Sequence, residues 1–191
     1  MRKVIFAINN TIDGFADHTA VIADDELHDF FTDMLDSADT VLLGRKTYEM
    51  MASYWPFADQ NPRSTKSMLK FADKYNSVTK LVFSKTLKDV KWNNTTLAKS
   101  NLIDEVFKLK NQRGKYIFAG SLSIASQLMK KELIDEYWFL VHPIILGKGK
   151  QLFDELDNRQ NLKLIDTKTF QSGAVVLHYQ RQSEKFFYEK N

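Results

Sequence analysis

The segment Lys115-Tyr-Ile-Phe-Ala-Gly-Ser-Leu-Ser-Ile-Ala-Ser-Gln-Leu-Met129 passes from an apolar strand into a helix with only Gly120-Ser121 between them. Tyr116 to Ala119 reads as the strand, and Ala125, Leu128 and Met129 fall at helical spacing. A small-residue turn lets a ligand approach the backbone. The unpaired N–H groups and positive dipole end of the helix that follows suit a phosphate. Packing alone is a competing explanation, with Gly120 simply letting strand meet helix.

The same strand-to-helix pattern recurs along the chain. Val4 to Ile8 is a continuous apolar run, as for a strand buried on both faces, and Asn9 to Gly14 reads as a loop. Asp24 or Asp25 caps a helix whose stripe is Leu27, Phe30, Phe31, Met34 and Leu35. Thr40–Leu43 is a short strand that turns at Gly44-Arg45-Lys46-Thr47 into a helix through Met50 and Met51. Tyr54-Trp-Pro-Phe57 reads as an aromatic loop, with Pro56 ending that helix. Ser64 or Thr65 starts the next helix. Strands at Lys80–Ser84 and Thr95–Ala98 follow, then a helix capped by Ser100 or Asn101. Ile134–Ile145 reads as a long strand bent at Pro143. Two β-rich runs, Leu162–Phe170 and Ala174–Gln180, flank Gln171-Ser-Gly173 as a closing hairpin. Alternating strands and helices ending in a hairpin predict an α/β fold with a mainly parallel sheet and an antiparallel edge. A single domain is expected over residues 1–181, with 182–191 as a mobile tail.

Composition removes several function classes. The 191 residues carry a net charge of only +3, with lysines scattered rather than grouped, so no nucleic-acid footprint is present. The chain has no cysteine, which excludes disulfides, thiolate catalysis and Cys-based zinc sites. No spacing of His, Asp and Glu suits a metal. The opening Met1–Phe6 fits no signal peptide. The apolar run Tyr137–Leu146 is broken by His142 and Pro143 and is far short of the ~20 residues a membrane span needs. A soluble, cytoplasmic protein is expected.

Three strand ends carry the residues suited to a ligand. They are Gly44-Arg45-Lys46-Thr47, Ser84-Lys85-Thr86 and Gly120-Ser121-Leu122-Ser123. Open α/β sheets bind ligands beyond the carboxyl ends of their strands. Together these ends supply five hydroxyls and three cations, which suits a ligand with several phosphates, such as a dinucleotide. The common nucleotide fingerprints are absent. Gly147-Lys-Gly149 has Leu152 where a Rossmann turn needs glycine, and Gly44-Arg-Lys-Thr47 lacks the P-loop order. No Gly-x-Ser-x-Gly elbow is present.

Leu42-Leu-Gly-Arg-Lys-Thr-Tyr-Glu49, Val82-Phe-Ser-Lys85, Ala119-Gly-Ser121 and His142-Pro-Ile-Ile-Leu-Gly-Lys-Gly-Lys-Gln-Leu-Phe153 resemble the dihydrofolate reductase-like superfamily. The likeness is to the riboflavin-biosynthesis reductase domain branch, in order from Val4 to about Gln180. It implies a three-layer sandwich, the central sheet covered by helices on both faces, that binds NADPH and transfers hydride from it. By that resemblance Gly44, Arg45, Lys46 and Thr47 hold cofactor phosphates. Ser84 and Lys85 stand by the adenosine ribose, and Gly120, Ser121, Leu122 and Ser123 hold the pyrophosphate. Ala7, Ile8 and the Thr11–Gly14 loop border the nicotinamide.

Folate reductases place a carboxylate on the first helix. Counting back from Gly44-Arg45 reaches His28, with Asp29 beside it. Both lie off the apolar stripe, as solvated helix residues do, but a cleft histidine can exchange a proton near neutral pH. Asp13 is a further candidate for the acid, or a turn-forming residue. His18 and His178 read as surface or strand residues and His142 as structural. Asn9 and Trp55, the latter with Phe57, are candidates to touch the substrate. Trp55 and Phe57 would stack on a flat ring or pack on the core.

The substrate implied is a small heterocycle, the nearest being 5-amino-6-(5-phosphoribosylamino)uracil on the way to riboflavin. The deaminase domain of that pathway has no counterpart here, which leaves room for another heterocycle or imine. Dihydrofolate reduction and non-catalytic NADPH binding are the alternatives. The Tyr137–Leu146 strand is apolar enough to be central in the sheet or to form a dimer contact, and the same resemblance implies a homodimer.

Overall fold

The computed structural model describes residues 1–154, 156 and 158–182; all of the expected tail except Gln182 lies outside them. Among the described residues, eight strands form one sheet. In chain order they are β1 (Val4–Thr11), β2 (Ala38–Gly44), β3 (Thr79–Phe83), β4 (Thr95–Leu97), β5 (Tyr116–Ala119), β6 (Glu136–His142), β7 (Leu162–Thr169) and β8 (Val175–Arg181). Their order across the sheet is β4-β3-β2-β5-β1-β6-β8-β7. The first six are mutually parallel, and β8 pairs antiparallel with both β6 and β7.

Among the described residues, five α-helices cover the sheet: α1 (Asp25–Ser37), α2 (Arg45–Ala52), α3 (Lys66–Ser77), α4 (Leu102–Lys110) and α5 (Leu122–Met129). Leu27 and Leu35 of α1 and Phe71 and Tyr75 of α3 pack on Ile5, Val41, Leu43 and Val82, forming one core. Leu102 and Val106 of α4 and Ile124, Ala125, Leu128 and Met129 of α5 pack on Val4, Phe6, Leu42 and Ile117, forming the other. The result is the expected three-layer α/β sandwich with an antiparallel C-terminal hairpin. Burial on both faces explains why β1, β2 and β5 read as unbroken apolar runs. Among the described residues, no helix is long and apolar enough to cross a membrane.

Three elements differ from the sequence expectation. Strand β1 does not stop at Ile8: Asn9, Asn10 and Thr11 continue it opposite Leu140, Val141 and His142. Hydropathy misses this because the ladder is made by backbone, which polar residues supply equally well. Strand β6 is shorter than Ile134–Ile145 and ends at His142, because Pro143 has no N–H to continue the pairing. It lies between β1 and β8, so it is an interior strand, and β7 forms the edge. The aromatic segment is a 3-10 helix, Trp55–Gln60, with Pro56 in its first turn. Pro56 therefore opens an element rather than closing one, since the first N–H groups of a helix have no partner to lose.

Candidate active site

Two helices begin differently from the other three. Helices α1, α3 and α4 are capped by the side chains of Asp24, Thr65 and Asn101, which accept from Leu27, Met68 and Asp104 N–H. Helices α2 and α5 begin at Gly44 and Ser121 with no side-chain cap. The N–H groups at their very start are therefore left without a side-chain acceptor, although Ile124 N–H in α5 turns back onto the Ser121 carbonyl at 3.2 Å.

The two turns touch. Gly44 N–H donates to Ser121 Oγ at 3.0 Å. A Cβ on Gly44 would stand 2.6 Å from Ser123 Oγ. Gly120 is tight for a different reason: its Cβ would meet Val41 Cγ1 at 2.7 Å and Leu43 Cδ2 at 3.0 Å. The packing explanation of Gly120 therefore holds, and the open helix start stands beside it.

Both turns open onto a cavity of about 660 Å³ at the carboxyl ends of β1, β2 and β5. That volume suits a small-molecule site. Of the expected cofactor residues, Ala7, Ile8, Lys46, Thr47, Gly120, Ser121 and Leu122 line it. Gly44 and Ser123 lie behind that lining, in the contact between the two turns. Arg45 is exposed and pairs with Glu49 at 3.3 Å. Ser84 and Lys85 lie outside the cavity but on the same sheet edge, since β3 pairs with β2 up to Gly44–Phe83. Ser84 Oγ accepts from Leu87 N–H at 2.9 Å and closes its own turn, and Lys85 is exposed.

The opposite wall comes from α1, α2, the 3-10 helix and α3, through Phe31, Met50, Met51, Trp55 and Phe71. His28 lies in this wall, half-buried, and is not the solvated residue expected of it. His28, Phe31 and Leu35 are spaced i, i+3, i+7, so they share the side of α1 that faces the cavity. The His28 ring meets Trp55 and Phe71 edge-on at 5.9 and 6.1 Å. His28 Nδ1 lies 2.7 Å from the Asp24 carbonyl oxygen, an acceptor, so Nδ1 carries the proton and Nε2 is the open nitrogen.

The other two acid candidates are elsewhere. Asp29 is exposed and does not line the cavity. Asp13 is exposed and accepts from Thr11 Oγ1 at 2.6 Å, Gly147 N–H at 2.7 Å and Leu146 N–H at 3.1 Å. These hydrogen bonds, the Thr11 one first, pull its carboxyl down to about 2 and make it a turn clamp.

Trp55 and Asn9 line the cavity, whereas Phe57 is exposed and does not. A third wall was not foreseen: Ala16, Asp17, His18 and Val21 from the segment after β1, with Lys150 beside them. Ala16 N–H donates to the Lys150 carbonyl at 2.8 Å, and Phe15 bridges Gln151. His142 is fully buried behind the cavity, at the end of β6.

A sheet of this order, with its site at the carboxyl ends of the central strands, is the dihydrofolate reductase-like architecture. Within it, the chain belongs to the RibD C-terminal domain family, whose model matches residues 2–176. It is similar to the uncharacterized protein YyaP of Bacillus subtilis, 35% identical over 184 residues, covering 93% of this chain and 94% of that one. Among solved structures it resembles a putative riboflavin biosynthesis protein from Shewanella sp. PV-4, with a TM-score of 0.72 at 21% identity over 95% and 99% of the two chains. It also resembles the diaminohydroxyphosphoribosylaminopyrimidine deaminase/5-amino-6-(5-phosphoribosylamino)uracil reductase of Thermotoga maritima, with a TM-score of 0.63 at 16% identity. That likeness covers 95% of this chain and 57% of the longer one. These two structures share the fold. The RibD C-terminal domain family points to an oxidoreductase.

Proposed function

We propose that the chain is a cytoplasmic NADPH-dependent reductase that acts on a C=N or C=O carbon of a small heterocycle. The observation that carries this reading is the pair of uncapped helix starts, α2 and α5, in contact at the cavity, with Lys46 of the first turn of α2 lining it. Donor N–H groups, two positive dipole ends, an ammonium and the hydroxyls of Thr47 and Ser121 form a donor set that fits a pyrophosphate. Ser121 Oγ already accepts from Gly44, so its own proton is free to be donated outward. Ser84 and Lys85, one strand further along the same edge, suit a 2′-phosphate. NADPH, when bound, supplies the hydride, and the chain supplies position and charge.

On the substrate side, Trp55 and its apolar neighbours exclude water and hold a flat ring. His28, its Nδ1–H fixed on the Asp24 carbonyl, is oriented to hold or pass a proton at Nε2. A homodimer is also proposed. Its support is the edge strand β7, which exposes the adjacent apolar residues Leu164 and Ile165.

The test is a titration with NADPH and NADH, followed by NADPH oxidation over a panel of heterocyclic imines and carbonyls that includes dihydrofolate. Tight NADPH binding with turnover of a panel member other than dihydrofolate is expected, and Lys85→Ala should lower the preference for NADPH over NADH. Absence of NADPH binding would overturn the reading. Binding without any turnover would favour the non-catalytic alternative.

A further inference from the structure

The buried His142 ties the paired strands β1 and β6 to the segment that leads into α1. It is fully buried at the end of β6. Its Nδ1 lies 3.3 Å from the backbone nitrogen of Ile22, in the segment that leads into α1. Its Nε2 lies 3.0 Å from Oδ1 of Asn9 on β1, and Asn9 lines the cavity. The two residues flanking Ile22, Val21 and Ala23, also line the cavity.

The polarity of this chain of contacts follows from one fixed point. A backbone N–H can only donate, so His142 Nδ1 must present its lone pair to Ile22. A neutral imidazole with a bare Nδ1 carries its proton on Nε2. That proton is donated to Asn9, which must therefore present its carbonyl oxygen rather than its amide nitrogen. Asn9 Nδ2 is left over. It makes no hydrogen bond to any described residue, and its residue faces the cavity. Burial lowers the basicity of the ring, in keeping with a neutral His142.

We propose that His142 is a positioning residue that locks the Asn9 amide with its NH2 toward the cavity. The site thereby selects planar heterocycles that present a carbonyl oxygen or bare ring nitrogen there, over those that present an amino group. The inference rests on the proposed function only in taking this cavity as the substrate's. The surrounding surface fits a flat, largely uncharged ring system: Trp55, Phe31 and Met51 provide apolar area, and Asn9 provides one directional donor. A ligand amino group facing the Asn9 NH2 would leave two donors opposed, the mismatch that discriminates most strongly in a desolvated site.

The probes are quinazolin-4-one and quinazolin-4-amine, two flat bicycles of nearly the same shape that differ in an acceptor or a donor at one position. Binding is followed by tryptophan fluorescence and calorimetry without NADPH, so failure here is separable from failure of the cofactor reading. The wild-type chain should take the carbonyl compound at least about tenfold more tightly. Asn9→Asp, which replaces the donor with an acceptor, should reverse the order. His142→Gln places an amide N–H where ring Nε2 stood and should keep the preference. His142→Asn supplies only the Ile22 contact and should abolish it. Two-bond nitrogen–proton NMR of His142 gives a second readout: a protonated Nε2 and a bare Nδ1 are expected. Equal or inverted binding by the wild type, failure to bind the carbonyl compound, an unchanged order in Asn9→Asp, or a proton on Nδ1 would each overturn the proposal.

Discussion

A methyl group added at Gly120 would press on Val41 Cγ1 and Leu43 Cδ2, both held in the core between β2 and the helices. Neither neighbour is the free end of a long side chain, so the strain cannot be relieved locally. Gly120→Ala should cost about 1–3 kcal/mol of stability, read from the shift of a urea midpoint at unchanged slope. His142 gives the residue scale its pH dependence. Its folded-state basicity lies below the ordinary 6.5, first through burial, with Asp24 acting in the opposite direction. The unfolded chain therefore binds a proton that the folded chain resists. The stability this represents is complete above about pH 6.5 and is lost as pH falls below it. Urea midpoints measured from pH 7.5 to 5 should fall, and His142→Gln should fall less over the same range. An equal fall in the variant would place the effect on other groups. The sequence shows His142 only as a structural histidine, because its partners Ile22 and Asn9 lie 120 and 133 positions away.

At the scale of elements, capped and uncapped helices divide the work between stability and binding. Helix α3 starts at Thr65, whose hydroxyl accepts from Met68 N–H and also bonds Asp25 of α1. Thr65→Ala should cost about 1 kcal/mol and leave NADPH affinity unchanged. Lys46→Ala, on an exposed turn of α2, should do the reverse: a change within about 0.5 kcal/mol in stability, with roughly tenfold weaker NADPH binding and a shallower salt dependence. The capped helix starts were legible, since Asp24, Thr65 and Asn101 stand where hydroxyl, amide or carboxylate side chains begin helical stripes. The 3-10 helix at Trp55 and the polar end of β1 were not. Periodicity registers apolar side chains, and these segments are held by backbone pairing and by Pro56. His28 was hidden similarly: the stripe of α1 is broad, and only the cavity shows that its edge beyond Leu27 is also covered.

At the scale of the molecule, strand order makes the site. Strands β3, β2 and β5 are consecutive neighbours, so the turns at Ser84, Gly44 and Gly120 share one sheet edge although they stand at positions 84, 44 and 120 of the chain. The chain's strand–turn–helix units made that edge legible. The third wall, in which the segment around Ala16 and His18 meets Lys150, was out of reach: it depends on a bridge between residues 136 positions apart, Phe15 and Gln151, with no periodicity or motif to mark it. Soaking a crystal of the chain with NADPH tests where the cofactor sits. Density for the pyrophosphate is expected against the starts of α2 and α5, with the nicotinamide beside Ala7 and Ile8. Cofactor density elsewhere on the molecule, or none at saturating NADPH, would contradict it.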